Sequence, residues 1–147
     1  MRICPVSENR KQYLELLLLG DEQESRIDRY LQRGELYVCM DPDAVAVCVV
    51  TDEGCGMLEL KNLAVRPDRQ RQGYGREMIG FLCRSYANRF SVLRAGTGDS
   101  PLTVPFYKAC GFREVGRVPD YFPKHYDHPI FEGGVQLRDQ IIMEKTI

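Results

Sequence analysis

The chain shows no excess of charge of one sign, because its 20 lysines and arginines are matched by 21 aspartates and glutamates. Proteins dedicated to nucleic-acid binding usually carry a basic excess, so this near balance argues against that class. The chain also lacks a run of 18 apolar residues, which argues against a membrane-spanning helix. No export signal is visible ahead of the apolar stretch Leu14 to Leu19, which a polar segment precedes. We therefore expect a cytoplasmic protein with neither nucleic acid nor membrane as a partner.

Clustered metal ligands are also missing from the sequence. None of the six cysteines forms a Cys-x-x-Cys pair, and most of them lie within apolar strand or helix patterns. A chain of 147 residues can bury roughly two-thirds of its unfolded surface without disulfides, so buried and reduced thiols are expected. The two histidines, His125 and His128, lie close together, but no helical or hairpin pattern fixes them in place. We expect no metal site.

Apolar periodicity predicts one domain over residues 1–147, of the mixed α/β class. The predicted order is a strand, two helices, three strands in antiparallel hairpins, a long helix over 73–87, a strand, a helix and two strands. The strands before and after the long helix are expected to run parallel through a right-handed crossover. The segment 119–134, rich in prolines and aromatic residues, is predicted to be irregular and to precede a last alternating strand that starts at Val135.

Residues typical of helix starts mark two of the shorter helices. Asp21 and Glu24 resemble a capping box, with Asp in place of Ser or Thr, and predict a helix that ends at Gly34. Ser100 and the proline after it predict a helix that begins there and runs to Cys110. A glycine follows each of these helices, and glycine readily adopts the left-handed conformation of a helix terminus.

The most informative segment runs from Asn62 to Arg76 and reads NLAVRPDRQRQGYGR. A strand ends at Pro67, a basic loop follows, and Gly73 and Gly75 open the long helix. Glycines let a ligand approach the backbone, and the first N–H groups of a helix point out of its end. Flanking arginines add positive charge, so the segment predicts a pyrophosphate site. The four arginines of this loop are Arg66, Arg69, Arg71 and Arg76.

Two better-known phosphate loops do not fit this segment. A dinucleotide fingerprint needs a third glycine where Met78 stands, and a Walker loop needs a lysine where Arg76 follows Gly75. A glycine-capped helix beside a solvated basic loop is the alternative interpretation. The two glycines alone would be weak evidence for phosphate binding, but the whole string is more specific.

That string resembles motif A of the GNAT superfamily, the acyl-CoA-dependent N-acyltransferases. The family pattern Gln/Arg-x-x-Gly-x-Gly/Ala corresponds here to Gln70 to Gly75. The stretch Phe106 to Phe112 (FYKACGF) resembles a second family motif at the expected distance, and the order of elements matches the family fold from end to end. The resemblance implies a mixed, mostly antiparallel sheet of six to seven strands, flanked by about four helices. It also implies a splayed parallel strand pair that holds CoA.

The resemblance further implies acetyl-CoA as a co-substrate. The pantetheine arm would bind the backbone of Leu63 and Val65, and the loop from Arg71 to Arg76 would hold the pyrophosphate. Where many members carry an asparagine that contacts the cofactor, this chain has Ser100, whose hydroxyl is also predicted to cap a helix. The implied cofactor residues are Leu63, Ala64, Val65, Arg71, Gln72, Gly73, Tyr74, Gly75, Arg76 and Ser100.

Transfer of an acetyl group from a thioester to an amine needs a proton acceptor, because an alkyl amine with a pKa of about 10.4 is mostly protonated at neutral pH. By resemblance to the family, Glu59 is the candidate base. Strand alternation is expected to place it on the same face as Lys61 and Leu63. Two alternatives stay open: a carboxylate that merely pairs with Lys61 or Arg94, and an ordered water chain as the base.

The departing thiolate benefits from a proton donor, and the resemblance makes Tyr107 that candidate acid. A phenol of pKa about 10 can serve a thiolate whose conjugate acid has a pKa near 8.5 if it is held close. The alternative is a core aromatic residue that packs beside Phe106. A covalent acyl-cysteine route through Cys110 is not favoured, because the sequence offers no evident base beside it.

The expected function is N-acetyltransfer from acetyl-CoA to a primary amine, directly and through a ternary complex. The alternatives are an acyl-CoA sensor of the same fold without efficient transfer, and acetylation of protein lysines or N-termini. The expected partner is a small amine or a peptide, and a homodimer is left open. The connection 119–134 combines carboxylates with aromatic residues such as Tyr121 and Tyr126, which suits a cationic amine with an apolar body. These aromatic residues could equally serve to pack the loop on the sheet.

Overall fold

The computed structural model describes all residues, 1–147, and the chain divides into two compact units. The first unit comprises residues 1–91 with 147, and the second comprises 92–146. The first contains two short 3-10 turns at Arg10–Tyr13 and Pro67–Arg69 besides the following elements: β1 (Arg2–Val6), α1 (Leu14–Gly20), α2 (Glu24–Ile27), β2 (Glu35–Met40), β3 (Ala44–Asp52), β4 (Met57–Val65) and α3 (Tyr74–Tyr86). The second contains β5 (Val92–Gly98), α4 (Thr103–Ala109), β6 (Arg113–Val118), α5 (Tyr121–His125), β7 (Phe131–Glu132), β8 (Val135–Gln136) and β9 (Gln140–Thr146).

The strands β1 to β4 pair in chain order, each antiparallel to the next, so the predicted hairpins are confirmed. One face of these strands packs on α1 and α2, and its buried residues include Leu36, Val47 and Val49. The other face packs on α3, because Tyr37, which lies opposite Cys48, contacts the rings of Phe81 and Tyr86. Helices therefore cover both faces, and burial of these apolar side chains is the main stabilising term.

A β-bulge interrupts the pairing of β3 with β4. Val49 lies opposite Asn62 and Val50 lies opposite Leu60, so the register skips Lys61. An extra residue of this kind shifts the alternation of side chains on its own strand. Odd-numbered residues of β4 therefore point to one face of the sheet before the bulge and to the other face after it. Counting every second residue along the sequence does not reveal this change.

The second unit has β9 between β5 and β6, antiparallel to both. The last predicted strand is broken, because Val135–Gln136 pairs with Phe131–Glu132 as a small hairpin and β9 begins only at Gln140. The segment predicted as irregular also contains the short helix α5. Apart from the small β7–β8 hairpin, there are seven strands, four in the first unit and three in the second, and with the five helices they confirm the predicted mixed α/β, mostly antiparallel class. The parallel strand pair would join the two units and stays a prediction.

The bounds of two predicted helices are corrected by the structure. The second helix does not extend to Gly34 but ends at Ile27. The Asp21 carboxylate does not cap it, since Asp21 Oδ2 accepts the Tyr30 hydroxyl hydrogen at 2.8 Å. The helix expected from Ser100 begins at Thr103, after a turn. No helix of the structure is both long enough and apolar enough to cross a membrane.

Candidate functional site

The loop before α3 presents backbone N–H groups outward. Arg71 and Gly73 both adopt left-handed backbone conformations, with φ of 62° and 93°. The first backbone bond of α3 runs from the N–H of Glu77 to the carbonyl of Gly73 at 3.0 Å, so the N–H groups of residues 74–76 have no acceptor inside the helix. A Cβ at Gly73 would meet nothing within 4 Å, which leaves its backbone open to a ligand. This geometry suits an anion.

The loop arginines form two pairs that differ in exposure, one half-buried and one exposed. Arg66 donates to the Asp68 carboxylate at 2.6 Å, and Arg69 donates to the carbonyl of Asp41 at 3.1 Å and to the Tyr74 hydroxyl. These two guanidinium groups therefore serve contacts within the protein. The side chains of the second pair are exposed at the start of the helix and supply positive charge beside the open N–H groups. This pair consists of Arg71 and Arg76. Together with the outward N–H groups, the second pair fits a diphosphate.

The strand that precedes the loop carries the predicted pantetheine residues. Ala64 is buried, whereas Leu63 and Val65 are half-buried. Leu63 lies opposite Cys48, which places it on the face that packs on α3. The three residues are thus the last of β4 before the chain turns at residue 66 into the phosphate loop.

Glu59 lies on the other side of the bulge from these residues. It is opposite Thr51, three residues along β3 from Cys48, so Glu59 and Leu63 are on opposite faces. The expectation that they share a face was therefore wrong, and the skipped residue Lys61 is the reason. Glu59 faces the side covered by α1 and α2, with 18% of its side chain exposed.

The Glu59 carboxylate forms an ion pair with the ammonium group of Lys61. Arg94, the other partner considered, instead donates to Glu144 at 3.1 Å. The ion pair with Lys61 places a positive charge beside the Glu59 carboxylate. The role of Glu59 as the base stays a prediction.

Asn62 is a residue that the sequence interpretation missed. It is buried, its Nδ2 donates to the carbonyl of Leu17 at 2.9 Å and to the Tyr30 hydroxyl at 3.2 Å, and Tyr30 in turn donates to Asp21. These bonds tie the end of α1 to β4 one residue after the bulge. The available signal was an amide at an inward position of an alternating strand, since buried polar groups need partners.

Tyr107 and Ser100 lie in the second unit. The Tyr107 ring is half-buried and stands edge-on to Phe106 at 5.3 Å and to Phe112 at 5.2 Å. The Ser100 hydroxyl is buried and accepts N–H groups from Leu102 at 3.1 Å and Thr103 at 3.2 Å. Its predicted capping contribution is therefore present in the turn before α4, while its contact with a cofactor stays a prediction.

An open cleft of about 250 Å³ lies in the connection after β6. The rings of Phe122 and Tyr126 stack 5.6 Å apart on its wall, and His128 is bonded to Asp127 at 2.6 Å. Tyr121 is not among the lining residues and instead contacts the His125 ring at 4.5 Å. The structure contains no group of three or more His, Cys, Asp or Glu side chains arranged to hold a metal ion. The cleft combines aromatic walls with a carboxylate, and its use by an acceptor stays a prediction.

Comparisons with known proteins identify the family. The model of the GNAT acetyltransferase domain matches residues 32–114. A Bacillus subtilis (strain 168) protein described as an uncharacterized N-acetyltransferase, YvbK, is 33% identical over 144 residues, covering 96% of this chain and 93% of that protein. A GNAT family acetyltransferase from Elizabethkingia anophelis, solved with acetyl-CoA bound, has a TM-score of 0.93 and 29% identity, covering 99% of this chain and 97% of that one. A Bacillus subtilis acetyltransferase in complex with CoA has a TM-score of 0.89 and 30% identity, covering 99% and 98%.

The chain therefore belongs to the GNAT family of acetyltransferases. This confirms the resemblance found in the sequence and the predicted enzyme class, an acyltransferase of class EC 2.3.1.-. The predicted base and the phosphate loop lie in the first unit, whereas the predicted acid lies in the second.

Proposed function

We propose that this chain, as one cytoplasmic catalytic domain over residues 1–147, transfers the acetyl group of acetyl-CoA directly to the primary amine of a small molecule or peptide. The observation that carries this proposal is the anion cradle at the start of α3, with its left-handed Arg71 and Gly73 and its exposed arginines, in a chain of the GNAT family. The solved relatives that hold acetyl-CoA or CoA support it.

In this proposal the chain's residues divide the binding of acetyl-CoA between strand and loop. The backbone of Leu63 and Val65 binds the pantetheine amides, and the loop from Arg71 to Arg76 binds the pyrophosphate. Bound acetyl-CoA supplies an acetyl group activated as a thioester. The direct route is favoured over an acyl-cysteine because the Cys110 side chain is buried at the end of α4.

Proton transfer is assigned to two side chains. Glu59, directly or through water, accepts the proton of the acceptor ammonium, and Tyr107 donates one to the departing thiolate. The bulge at Lys61 adds a third contribution, because it leaves the extra residue's backbone groups without a partner on β3. A backbone N–H there can donate to the acetyl oxygen as negative charge develops on it. The convergence of these groups on one thioester is part of the proposal.

The experiment that tests the function measures CoA release from acetyl-CoA with a panel of amines, amino acids, polyamines, aminoglycosides and peptides. Release above the rate of hydrolysis, together with an acetylated product of the expected mass, identifies both the transfer and the acceptor class. Tight CoA binding without transfer across the whole panel would contradict the proposal and indicate a sensor.

Binding of acetyl-CoA is expected to depend on Gly73. Saturating acetyl-CoA should raise the Tm of the wild-type chain by several degrees, since binding at 100 times Kd contributes about 2.7 kcal/mol. Gly73→Val should remove most of this increase, because valine disfavours the φ of 93° that aims the loop N–H groups. Differential scanning fluorimetry with and without acetyl-CoA measures the shift.

Gly54→Val is the matched control for this change. Gly54 also has a positive φ, 86°, with nothing within 4 Å of a Cβ, but it lies in the turn between β3 and β4. Its replacement should lower the Tm of the free protein and leave the ligand-induced shift intact. An unchanged shift in Gly73→Val would contradict the assignment of the phosphate loop.

The cleft in the second unit is proposed as part of the acceptor site. Tyr126→Ala is expected to raise the acceptor KM about tenfold and to leave the acetyl-CoA KM within about twofold, since the lost ring stacks on Phe122 and contacts a cationic or apolar ligand. Tyr121→Ala should have a smaller effect, because Tyr121 is outside the lining. Steady-state kinetics with each substrate varied in turn measures both constants. Equal effects on the two constants, or loss of folding, would make the segment structural.

A further inference from the structure

The turn between β2 and β3 accepts hydrogen bonds from the loop before α3. Asp41 lies in this turn, and its Oδ2 accepts the Tyr74 hydroxyl hydrogen at 2.6 Å. The Arg69 guanidinium donates to the Asp41 carbonyl at 3.1 Å and stands 3.7 Å from Asp41 Oδ2. Two segments more than 25 residues apart in sequence are thus joined through one aspartate.

These contacts are supported by burial and charge. Tyr74 is 8% exposed, and the Arg69 guanidinium lies over its ring at 5.2 Å from the centroid while also donating to its hydroxyl. The hydrogen bond from Tyr74 holds the pKa of the Asp41 carboxyl below its usual range. Asp41 is therefore charged at neutral pH, so its hydrogen bond from Tyr74 is of the stronger, charge-assisted type, and its carboxylate forms an ion pair with Arg69 at 3.7 Å.

Most other side-chain bonds of the loop join residues that are close in sequence. No side chain caps α3, because its N-cap is Gly73. Besides the bonds of Arg69 and Tyr74, Gln70 donates to the carbonyl of Val65 at 3.1 Å and Gln72 to the carbonyl of Asp68 at 3.4 Å. At the start of the loop, Arg66 donates to the Asp68 carboxylate at 2.6 Å and to the carbonyl of Ala44 at 3.4 Å. Tyr74 is the first residue of α3, and its own N–H belongs to the open group at the helix start. Anchoring the Tyr74 side chain therefore anchors the direction of the N–H groups on either side of it.

We propose that Asp41, Arg69 and Tyr74 form a clamp that positions the phosphate loop for the diphosphate of acetyl-CoA. The side chains of these three residues position the backbone of residues 71–76 and do not themselves touch the ligand, whereas the backbone N–H of Tyr74 is one of the groups that they position. This inference rests on the proposed function, since it assumes that the loop binds the diphosphate. Because the clamp orders the loop before the ligand arrives, its loss raises Kd through the cost of ordering.

The test measures the Kd of CoA by isothermal titration calorimetry. Tyr74→Phe keeps the ring and removes the hydroxyl, and it should raise Kd about threefold to tenfold. Asp41→Ala should have a similar or larger effect, and Asp41→Asn, which retains an acceptor oxygen for Tyr74, should recover part of the affinity. In all three variants the KM of acetyl-CoA should rise together with the Kd of CoA, and by a larger factor than any change in kcat.

Two control variants separate the clamp from a general loss of stability. Tyr86→Phe removes a hydroxyl from another buried tyrosine of α3, one that bonds the Tyr37 hydroxyl at 2.6 Å far from the loop. Asp43→Asn removes a carboxylate from the same turn as Asp41. Both should leave the Kd of CoA unchanged even where they lower the Tm.

The salt dependence of Kd separates the clamp from direct ligand contact. Arg71→Gln removes a charge proposed to touch the diphosphate, so it should weaken binding and also reduce the dependence of Kd on salt concentration. Tyr74→Phe removes no charge and should keep the wild-type salt dependence. An unchanged Kd in Tyr74→Phe and Asp41→Ala, with weaker binding in Arg71→Gln, would overturn the clamp alone. Unchanged binding in Arg71→Gln and Gly73→Val would overturn the loop assignment and the clamp with it.

Discussion

Replacing Tyr107 with phenylalanine is expected to lower kcat about 100-fold, within the range that a positioned acid contributes. The acetyl-CoA KM should remain within about twofold, because a group used only in the transition state does not contribute to ground-state binding. The ring contacts with Phe106 and Phe112 would be retained, since both involve the ring and not the hydroxyl. Steady-state kinetics and a CoA titration together measure the two effects.

A structural role for Tyr107 would give a different result. If its hydroxyl only supports packing, Tyr107→Phe should lower the Tm and change kcat and both KM values little. The Tm measured beside the kinetics distinguishes the two roles, and a kcat above about half of the wild-type value in the folded variant would rule out Tyr107 as the acid.

Replacing Glu59 with glutamine is expected to lower kcat/KM for the acceptor about 100-fold and to remove the acidic limb of its pH profile. The physical reason is that glutamine keeps the shape of the side chain but cannot accept the proton of the acceptor ammonium. It also releases Lys61 from its ion pair, so the Tm of the variant needs to be measured with the kinetics. A pH–rate profile of the wild-type and variant chains is the decisive comparison.

Glu53→Gln is the matched control for Glu59. Glu53 is also partly buried and ion-paired, with Arg33 at 3.0 Å, and the Thr51 hydroxyl bonded to it at 2.6 Å holds the pKa of its carboxyl low. Its neutralisation should cost stability at neutral pH and leave the pH–rate profile unchanged. Full activity with the wild-type profile in Glu59→Gln would assign the base to ordered water or to another group.

Much of the fold could be predicted because local rules agree with the packing that occurs. The hairpins β2 to β4 and the helix α3 follow from alternation, turn residues and one apolar stripe. The helix predicted to end at Gly34 ends at Ile27, and the residues after it continue as turns in which the Tyr30 N–H donates to the carbonyl of Ile27 and the Gly34 N–H donates to the carbonyl of Tyr30. Its predicted cap, Asp21, instead accepts a hydrogen bond from Tyr30, nine residues away. The position of β9 between β5 and β6 depends on pairing between strands far apart in sequence, and apolar periodicity carries no information about such pairing.

In the candidate site, too, features formed by neighbouring residues could be predicted, and contacts between distant segments could not. The phosphate loop could be predicted because its function depends on residues that are adjacent in sequence, namely glycines and arginines at a helix start. The division of its arginines could not be predicted, since Arg69 is engaged by Asp41, 28 residues earlier. Asn62 was missed for a similar reason: its partners Leu17 and Tyr30 come from another part of the chain.

The bulge at Lys61 determines which face of the sheet each numbered position of β4 occupies. The strand consists of two halves in opposite phase, the half with Glu59 aimed at one side of the sheet and the half with Leu63 aimed at the other. Losing Lys61 alone would restore regular alternation along β4, with Glu59 still opposite Thr51 and Leu63 still opposite Cys48. Such a deletion would change only the count of residues between the carboxylate and the cofactor strand, and both would keep the sides of the sheet that they serve. In relatives of this chain, a carboxylate counted back from the phosphate loop is equivalent to Glu59 only when the count crosses the same extra residue.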